Sequence, residues 1–158
     1  MKATIIYGTN SGSTLEASTY VQNILSAHGV AVRMVHAADA TDQDISSADL
    51  VIFGSCTWDA IGPTGRLEGQ MQEHFLSFRT RLQGKVFPKK PIAVFGLGDR
   101  SYTEFCAAAD KLAAFVKELQ AQLLDEPLRI DGFYFHQDES EKKLTQWTER
   151  ILKLLQVA

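Results

Sequence analysis

Cysteine is scarce in this sequence. Cys56 and Cys106 are the only two, too few for a disulfide scaffold and not at metal-ligand spacing. His28, His36, His74 and His136 are scattered without a zinc pattern, so no metal centre is expected. No apolar run approaches the roughly 18 residues of a membrane span, and Met1-Lys2-Ala3-Thr4 leads into a first strand with no signal-peptide layout. A cytoplasmic protein with no membrane partner is the expectation. Beyond Lys89-Lys90 there is no basic cluster, and the net charge of -3 argues against a nucleic-acid partner. Internal repeats, low-complexity tracts and linkers are also missing. What remains is an ordinary composition, 45% hydrophobic over 158 residues, which fits a single domain spanning residues 1–158 with a full core.

Within that frame one junction stands out. Thr4-Ile5-Ile6-Tyr7-Gly8 is a short β-branched and aromatic run, the mark of a buried strand, and it passes directly into Thr9-Asn10-Ser11-Gly12-Ser13-Thr14. Beyond that loop Ala17, Val21, Ile24 and Leu25 recur at helical spacing, with Ser13 or Thr14 placed to cap the helix start, and His28-Gly29 reads as its end. A loop between a strand end and a helix N-terminus meets unpaired N–H groups and the positive end of the helix dipole, which favour an anion. No Lys follows Gly12, so the phosphate-loop signature of NTPases fails. The hydroxyls of Thr9, Ser11, Ser13 and Thr14, the Asn10 amide and backbone N–H groups instead describe a cation-free cradle for one phosphate monoester. The alternative is an ordinary polar strand-to-helix turn.

The rest of the chain alternates in the same way. Strands are expected over Ala31 to Val35, Leu50 to Gly54, Pro91 to Gly96 and Leu128 to Gly132, the last extending to Phe133–Phe135. Helices are expected from about Glu68 to Leu82, on the face Leu112, Phe115, Val116, Leu119 and Leu123, and on the face Leu144, Trp147, Ile151, Leu154 and Leu155. The polar segment Ala37 to Ala48 holds a turn or short helix. Five strands separated by helices require a parallel sheet covered on both faces, an α/β three-layer sandwich. In such sheets ligands bind beyond the carboxyl ends of the strands, where the strand order reverses. The loops after the first, third and fourth strands all leave those ends. Trp58 and Tyr102 are the lone aromatics of the second and third of these loops and lie off any periodic face, which suits a flat ring held between them. A phosphate at one end and a ring at the other describe a mononucleotide or a flavin; two aromatics that shield the sheet end are the plainer reading.

Over nearly its whole length the chain resembles a short-chain flavodoxin. Thr9-Asn10-Ser11-Gly12-Ser13-Thr14 is similar to that family's phosphate loop, T/S-x-T/S-G-x-T. Cys56-Thr57-Trp58 resembles the loop whose Trp covers the inner face of the FMN ring, and Gly96-Leu97-Gly98-Asp99-Arg100-Ser101-Tyr102 the G-x-G-D-x-x-Y loop whose Tyr covers the outer face. Glu104-Phe105-Cys106 continues that loop towards the pyrimidine edge of the flavin. Three motifs in order, each after the right strand, are specific where any one is weak. The resemblance implies a five-stranded parallel sheet of order 2-1-3-4-5, non-covalently bound FMN, and one-electron transfer between a reductase and an acceptor protein by a monomer. It implies cofactor contacts from Thr9, Asn10, Ser11, Gly12, Ser13, Thr14, Cys56, Thr57, Trp58, Asp59, Leu97, Gly98, Asp99, Tyr102, Glu104, Phe105 and Cys106, with no catalytic or metal-binding residue.

An FMN-dependent NAD(P)H:quinone reductase on the same fold is the competing class, but Trp58 and Tyr102 would close both ring faces to a hydride donor. A phosphorylated receiver domain shares the strand order, yet the loops lack its acidic pair. The chain departs from the family pattern in three places. Asp59 stands where the family often has a Gly that turns on reduction, and a non-Gly residue reaches positive φ at a cost of roughly 1 kcal/mol or more. The loop from Asp59 to Gly69 is extended, and with Arg66, Arg79, Arg81 and Arg100 towards the ligand side the acidity around the ring is expected to be mild.

Overall fold

The computed structural model describes residues 1–100 and 104–157. Twelve elements follow one another: β1 (Lys2–Gly8), α1 (Ser13–Ala27), β2 (Ala31–His36), α2 (Asp42–Ser46), β3 (Leu50–Ile61), β4 (Leu67–Met71), α3 (Glu73–Arg81), β5 (Pro91–Gly98), α4 (Ala107–Glu118), β6 (Gln122–Leu123), β7 (Leu128–Asp131) and α5 (Gln137–Val157). β2, β1, β3 and β5 pair in parallel in that order, and β6 and β7 both pair with β5 on its outer side. The expected order 2-1-3-4-5 is therefore present, with its fifth strand in two pieces. Asp125, at φ 62°, and Pro127, which has no N–H to donate, lie between those pieces and interrupt the ladder.

The continuous apolar runs are buried on both faces, as a parallel sheet demands. Along β3, Val51 and Phe53 point to one face and Leu50 and Ile52 to the other; along β5, Ile92 and Val94 oppose Ala93, Phe95 and Leu97. The first face is covered by Ile45 of α2, Phe75 and Phe78 of α3, and Leu112, Phe115 and Val116 of α4. The second is covered by Ala17, Val21 and Leu25 of α1 and by Leu144, Trp147 and Ile151 of α5. Phe53 is the centre of the first layer, with ring centroids of Phe75 at 5.5 Å, Phe78 at 6.3 Å and Phe115 at 5.5 Å.

Several expected boundaries move. The segment Leu67 to Met71 is a strand antiparallel to the end of β3, and the helix that follows begins only at Glu73. What reads as a loop from Asp59 to Gly69 is thus a β-hairpin, with Asp59 opposite Gly69 and Ile61 opposite Leu67. Helix α4 stops at Glu118, because Gln120 turns to φ 54° and sends Leu123 into β6. Phe133 to Phe135 form a turn ahead of α5, after Gly132 at φ 55°. Leu154 is exposed and Leu152 takes its place in the core.

The aromatic layer supplies the fold's first test. Truncating Phe53 to Ala removes the ring that three others pack against and is expected to lower unfolding free energy by about 3–5 kcal/mol, read as a shifted midpoint in urea. A loss under about 1 kcal/mol would contradict this packing.

Candidate functional site

The turn from β1 into α1 is built on Gly12. It adopts φ 93°, ψ -10°, and is itself the N-cap of α1, so neither Ser13 nor Thr14 caps the helix as expected. The Thr9 hydroxyl accepts the Gly12 N–H at 2.9 Å and braces the loop from within. No side chain caps the helix, whose first internal bond runs from Glu16 N–H to the Gly12 carbonyl. The amides of the first turn are left facing the loop. Ser13 and Thr14 begin the helix as buried residues, and the Thr14 hydroxyl is enclosed against the Cys56 sulfur with no oxygen or nitrogen partner among the described residues. A hydroxyl and a helix end buried without partners are costly unless a ligand completes them.

The β3–β4 hairpin forms a second wall. Trp58 lies on β3 opposite Gln70, and its indole N–H donates to the Met71 carbonyl at 2.9 Å, so the ring is held against the hairpin while 38% of the residue stays exposed. Thr57 serves a different part of the site. Its hydroxyl accepts the Ala108 N–H at 3.1 Å, capping α4 from the neighbouring strand, since Cys106 at φ 49° offers no cap of its own. Asp59 sits in the hairpin ladder and is not among the residues at positive φ. Gly69 is required by space: a Cβ there would lie 2.4 Å from that of Ala107. The hairpin therefore packs directly on the start of α4.

A third wall comes from the end of β5, where Leu97, Gly98 and Asp99 reach the opening. A Cβ on Gly98 would come within 2.9 Å of the Cys106 N–H nitrogen, so Cys106 lies behind the strand end. Arg100 is tied to Asp131 by its backbone N–H at 3.1 Å and its guanidinium at 3.0 Å, and it covers the Phe105 ring at 5.1 Å. Tyr102 lies outside the described residues.

Asn10, Ser11, Ser13, Cys56, Thr57, Trp58, Leu97, Gly98 and Asp99 together line one cleft of about 380 Å³, a size in the range of small-molecule sites. Gly132, Phe133, Tyr134 and Phe135 complete its lining, and these four were not anticipated. The signal is three successive aromatics after a glycine, residues that as good strand formers read as an extension of the fifth strand. Tyr134 stands over the loop, where a Cβ on Gly12 would lie 3.7 Å from its hydroxyl. Desolvation and then the Glu16 carboxylate beside it raise its phenol above the ordinary pKa. Thr9, Gly12, Thr14, Asp59, Glu104, Phe105 and Cys106 do not line the cleft; they brace or border it. Nor do the four arginines expected near it. Arg79 pairs with Glu118, and Arg81 donates to the carbonyls of Ala37 and Ala40 at 2.8 and 3.0 Å.

The sequence profile of the family described as flavodoxin matches residues 5–147. The chain belongs to the flavodoxin family. It is accordingly an FMN-based electron-transfer protein without a substrate of its own. The flavodoxin of Maridesulfovibrio salexigens is 29% identical over 151 residues, covering 95% of this chain and 96% of that protein. That of Nitratidesulfovibrio vulgaris is 31% identical over 129 residues, covering 81% and 83%. The crystal structure of oxidised flavodoxin 2 from Bacillus cereus superposes with a TM-score of 0.82 at 25% identity, covering 97% of this chain and 99% of that one.

The residues present fit such a cofactor. An uncapped helix end and a buried unpartnered hydroxyl suit a phosphate, and a half-exposed indole at the other side of the cleft suits a ring.

The two thiols differ in a way that can be read directly. Burial raises both, and Cys106, whose thiol donates to the Ile130 carbonyl at 3.3 Å, is pushed up to about 12. Because the folded state holds this proton more tightly, its contribution to stability is present below pH 9 and is lost as pH rises through about 12. At pH 8 only roughly one Cys106 in ten thousand is thiolate. Alkylation by iodoacetamide, followed by peptide mass spectrometry, is expected to leave Cys106 unmodified in the native protein and to label it only in urea. Rapid native labelling would contradict the burial.

Proposed function

We propose that the cleft holds FMN non-covalently, its phosphate on the Thr9–Thr14 loop and its ring beside Trp58, and that the protein carries single electrons between a reductase and an acceptor protein. Support comes first from α1: its open N–H groups and the partnerless Thr14 hydroxyl form an anion site that needs no cation. When bound, FMN supplies reversible one-electron chemistry. The chain's part is to hold and surround it. Ser11, Ser13, Thr14 and the Asn10 amide would donate to the phosphate, with Thr9 bracing the loop. Trp58 and Leu97 would shield the ring from water, Tyr102 would cover its outer face, and backbone around Cys56, Thr57, Gly98, Glu104, Phe105 and Cys106 would meet its polar edge. Asp59, Asp99 and Glu104 place negative charge at that end of the site, which opposes further negative charge on the ring.

Residues 1–158 are read as one domain, acting as a monomer in the cytoplasm. Two core layers sharing one sheet support the single domain. No helix among the described residues is long and apolar enough to cross a membrane.

Anaerobic reductive titration of the FMN-loaded protein tests the carrier role. A long-wavelength absorbance band that rises and then decays supports one-electron transfer; direct bleaching by NAD(P)H alone would replace the carrier with a quinone reductase. For the cradle, Thr14→Val is expected to weaken FMN binding by about 1–3 kcal/mol, measured by fluorescence titration of the apoprotein. An affinity equal to the parent's would remove Thr14 from the phosphate contacts.

A further inference from the structure

Between the anion loop and the start of α3 lies Gln72, a polar residue 1% exposed. We infer that Gln72 is a positioning residue that sets the polarity of Asn10, turning the Asn10 amide so that its NH2 group, not its oxygen, serves the phosphate. The inference rests on the FMN reading above and extends it to a residue outside the cleft.

The argument runs through directed hydrogen bonds. The His74 backbone N–H lies 2.8 Å from one terminal atom of the Gln72 side chain. A backbone N–H only donates, so that atom is the amide oxygen and the other is the NH2 nitrogen. This nitrogen lies 3.3 Å from the Asn10 side chain. An NH2 group donates, so the Asn10 atom facing it is its oxygen. The Asn10 NH2 is left on the opposite branch, and Asn10 lines the cleft with Ser11 and Ser13. Without this constraint an Asn amide presents either end with little preference, and its oxygen would repel a phosphate.

Gln72 is itself held at both ends. Its backbone N–H donates to the Ser55 hydroxyl at 2.8 Å, which in turn donates to the Cys56 carbonyl at 2.8 Å. Its side chain also occupies space that glycine leaves. A Cβ on Gly8 would lie 2.6 Å from the Gln72 oxygen and 3.1 Å from its Cβ, and Gly8 is not at positive φ. Gly8 therefore leaves room for the Gln72 side chain and for the Phe75 ring, whose Cδ2 would lie 3.1 Å from a Cβ there.

Apoproteins of the parent, Gln72→Met, Asn10→Ala and the double variant are titrated with FMN and with riboflavin, which lacks the phosphate. Gln72→Glu is carried alongside: it retains an acceptor for the His74 N–H and so the start of α3, covering the case in which Gln72→Met does not fold. Both Gln72 variants are expected to lower the FMN-to-riboflavin affinity ratio about tenfold, with riboflavin affinity within about twofold of the parent. In the Asn10→Ala background Gln72→Met is not expected to lower that ratio further, since there is no amide left to orient. An unchanged ratio, or an equal fall with and without Asn10, would overturn the role given to Gln72 and leave the FMN site standing. A parent that binds riboflavin as tightly as FMN would overturn the phosphate reading and this inference with it.

Discussion

The reversal from β1 into α1 is the constraint on which the site depends. β1 is flanked by β2 on one side and β3 on the other, so the chain must leave the middle of a parallel sheet and return as a helix within four residues. That reversal passes through left-handed backbone at Gly12, which an L side chain adopts only with strain. It also determines what the helix end can do. A residue at φ 93° with no side chain cannot cap, so the first-turn amides stay open, and the turn is braced instead by the Thr9 hydroxyl on the Gly12 N–H. The same geometry that makes the connection possible leaves it suited to an anion. Three other helices are capped: Gln72 caps α3, Thr41 and Asp44 share a capping box on α2, and Thr57 reaches from β3 to cap α4. Only at the start of α1 among these are the donors left for a ligand.

The β3–β4 hairpin shows how tertiary pairing overrides a local pattern. Leu67, Met71, Phe75, Phe78 and Leu82 repeat at spacings of four, four, three and four, a helical stripe that runs unbroken through what is a strand, a cap and a helix. Met71, Phe75, Phe78 and Leu82 are all core residues, so the periodicity is real for burial while false for secondary structure at its first turn. Gly69 is the local sign of this, since a residue whose Cβ would overlap Ala107 marks backbone in close approach. Antiparallel pairing with the last five residues of β3 then outweighs a helical turn that would start at Glu68.

Much of the architecture was legible because it rests on local signals with one structural meaning. Buried runs such as Leu50 to Gly54 and Pro91 to Gly96 can only be covered strands, and their loops necessarily emerge on one edge of a parallel sheet. Asn10, Ser11 and Ser13, Trp58 and the end of β5 meet at one cleft for the same reason. What was not legible depends on contacts distant in sequence. The aromatic wall of Phe133, Tyr134 and Phe135 exists because Gly132 ends β7 at φ 55° and its carbonyl receives the Phe135 and His136 N–H groups. Read alone, the same residues are good strand formers. Charge at a position in sequence says nothing of its partner: Arg100 is drawn to Asp131, Arg79 to Glu118, and Arg81 to two carbonyls beyond β2.

That arrangement of charge has a consequence for how the two ends of the site divide their work. With Arg79, Arg81 and Arg100 engaged elsewhere, positive potential at the proposed phosphate end would come from α1 and from neutral donors, which do not change with pH or exchange counterions. The proposed ring end, with Asp99 lining the cleft and Asp59 and Glu104 bordering it, would carry the opposite sign. In the proposed placement, affinity would be anchored at one end of FMN and the energetics of electron uptake set at the other, on different elements of the fold. Gln72 would belong to the first end through Asn10, whereas Trp58, held by the Met71 carbonyl one residue before Gln72, would belong to the second. Adjacent residues at the end of β4 thus serve separate properties of the site, and the hairpin is the element through which a change in one would be felt by the other.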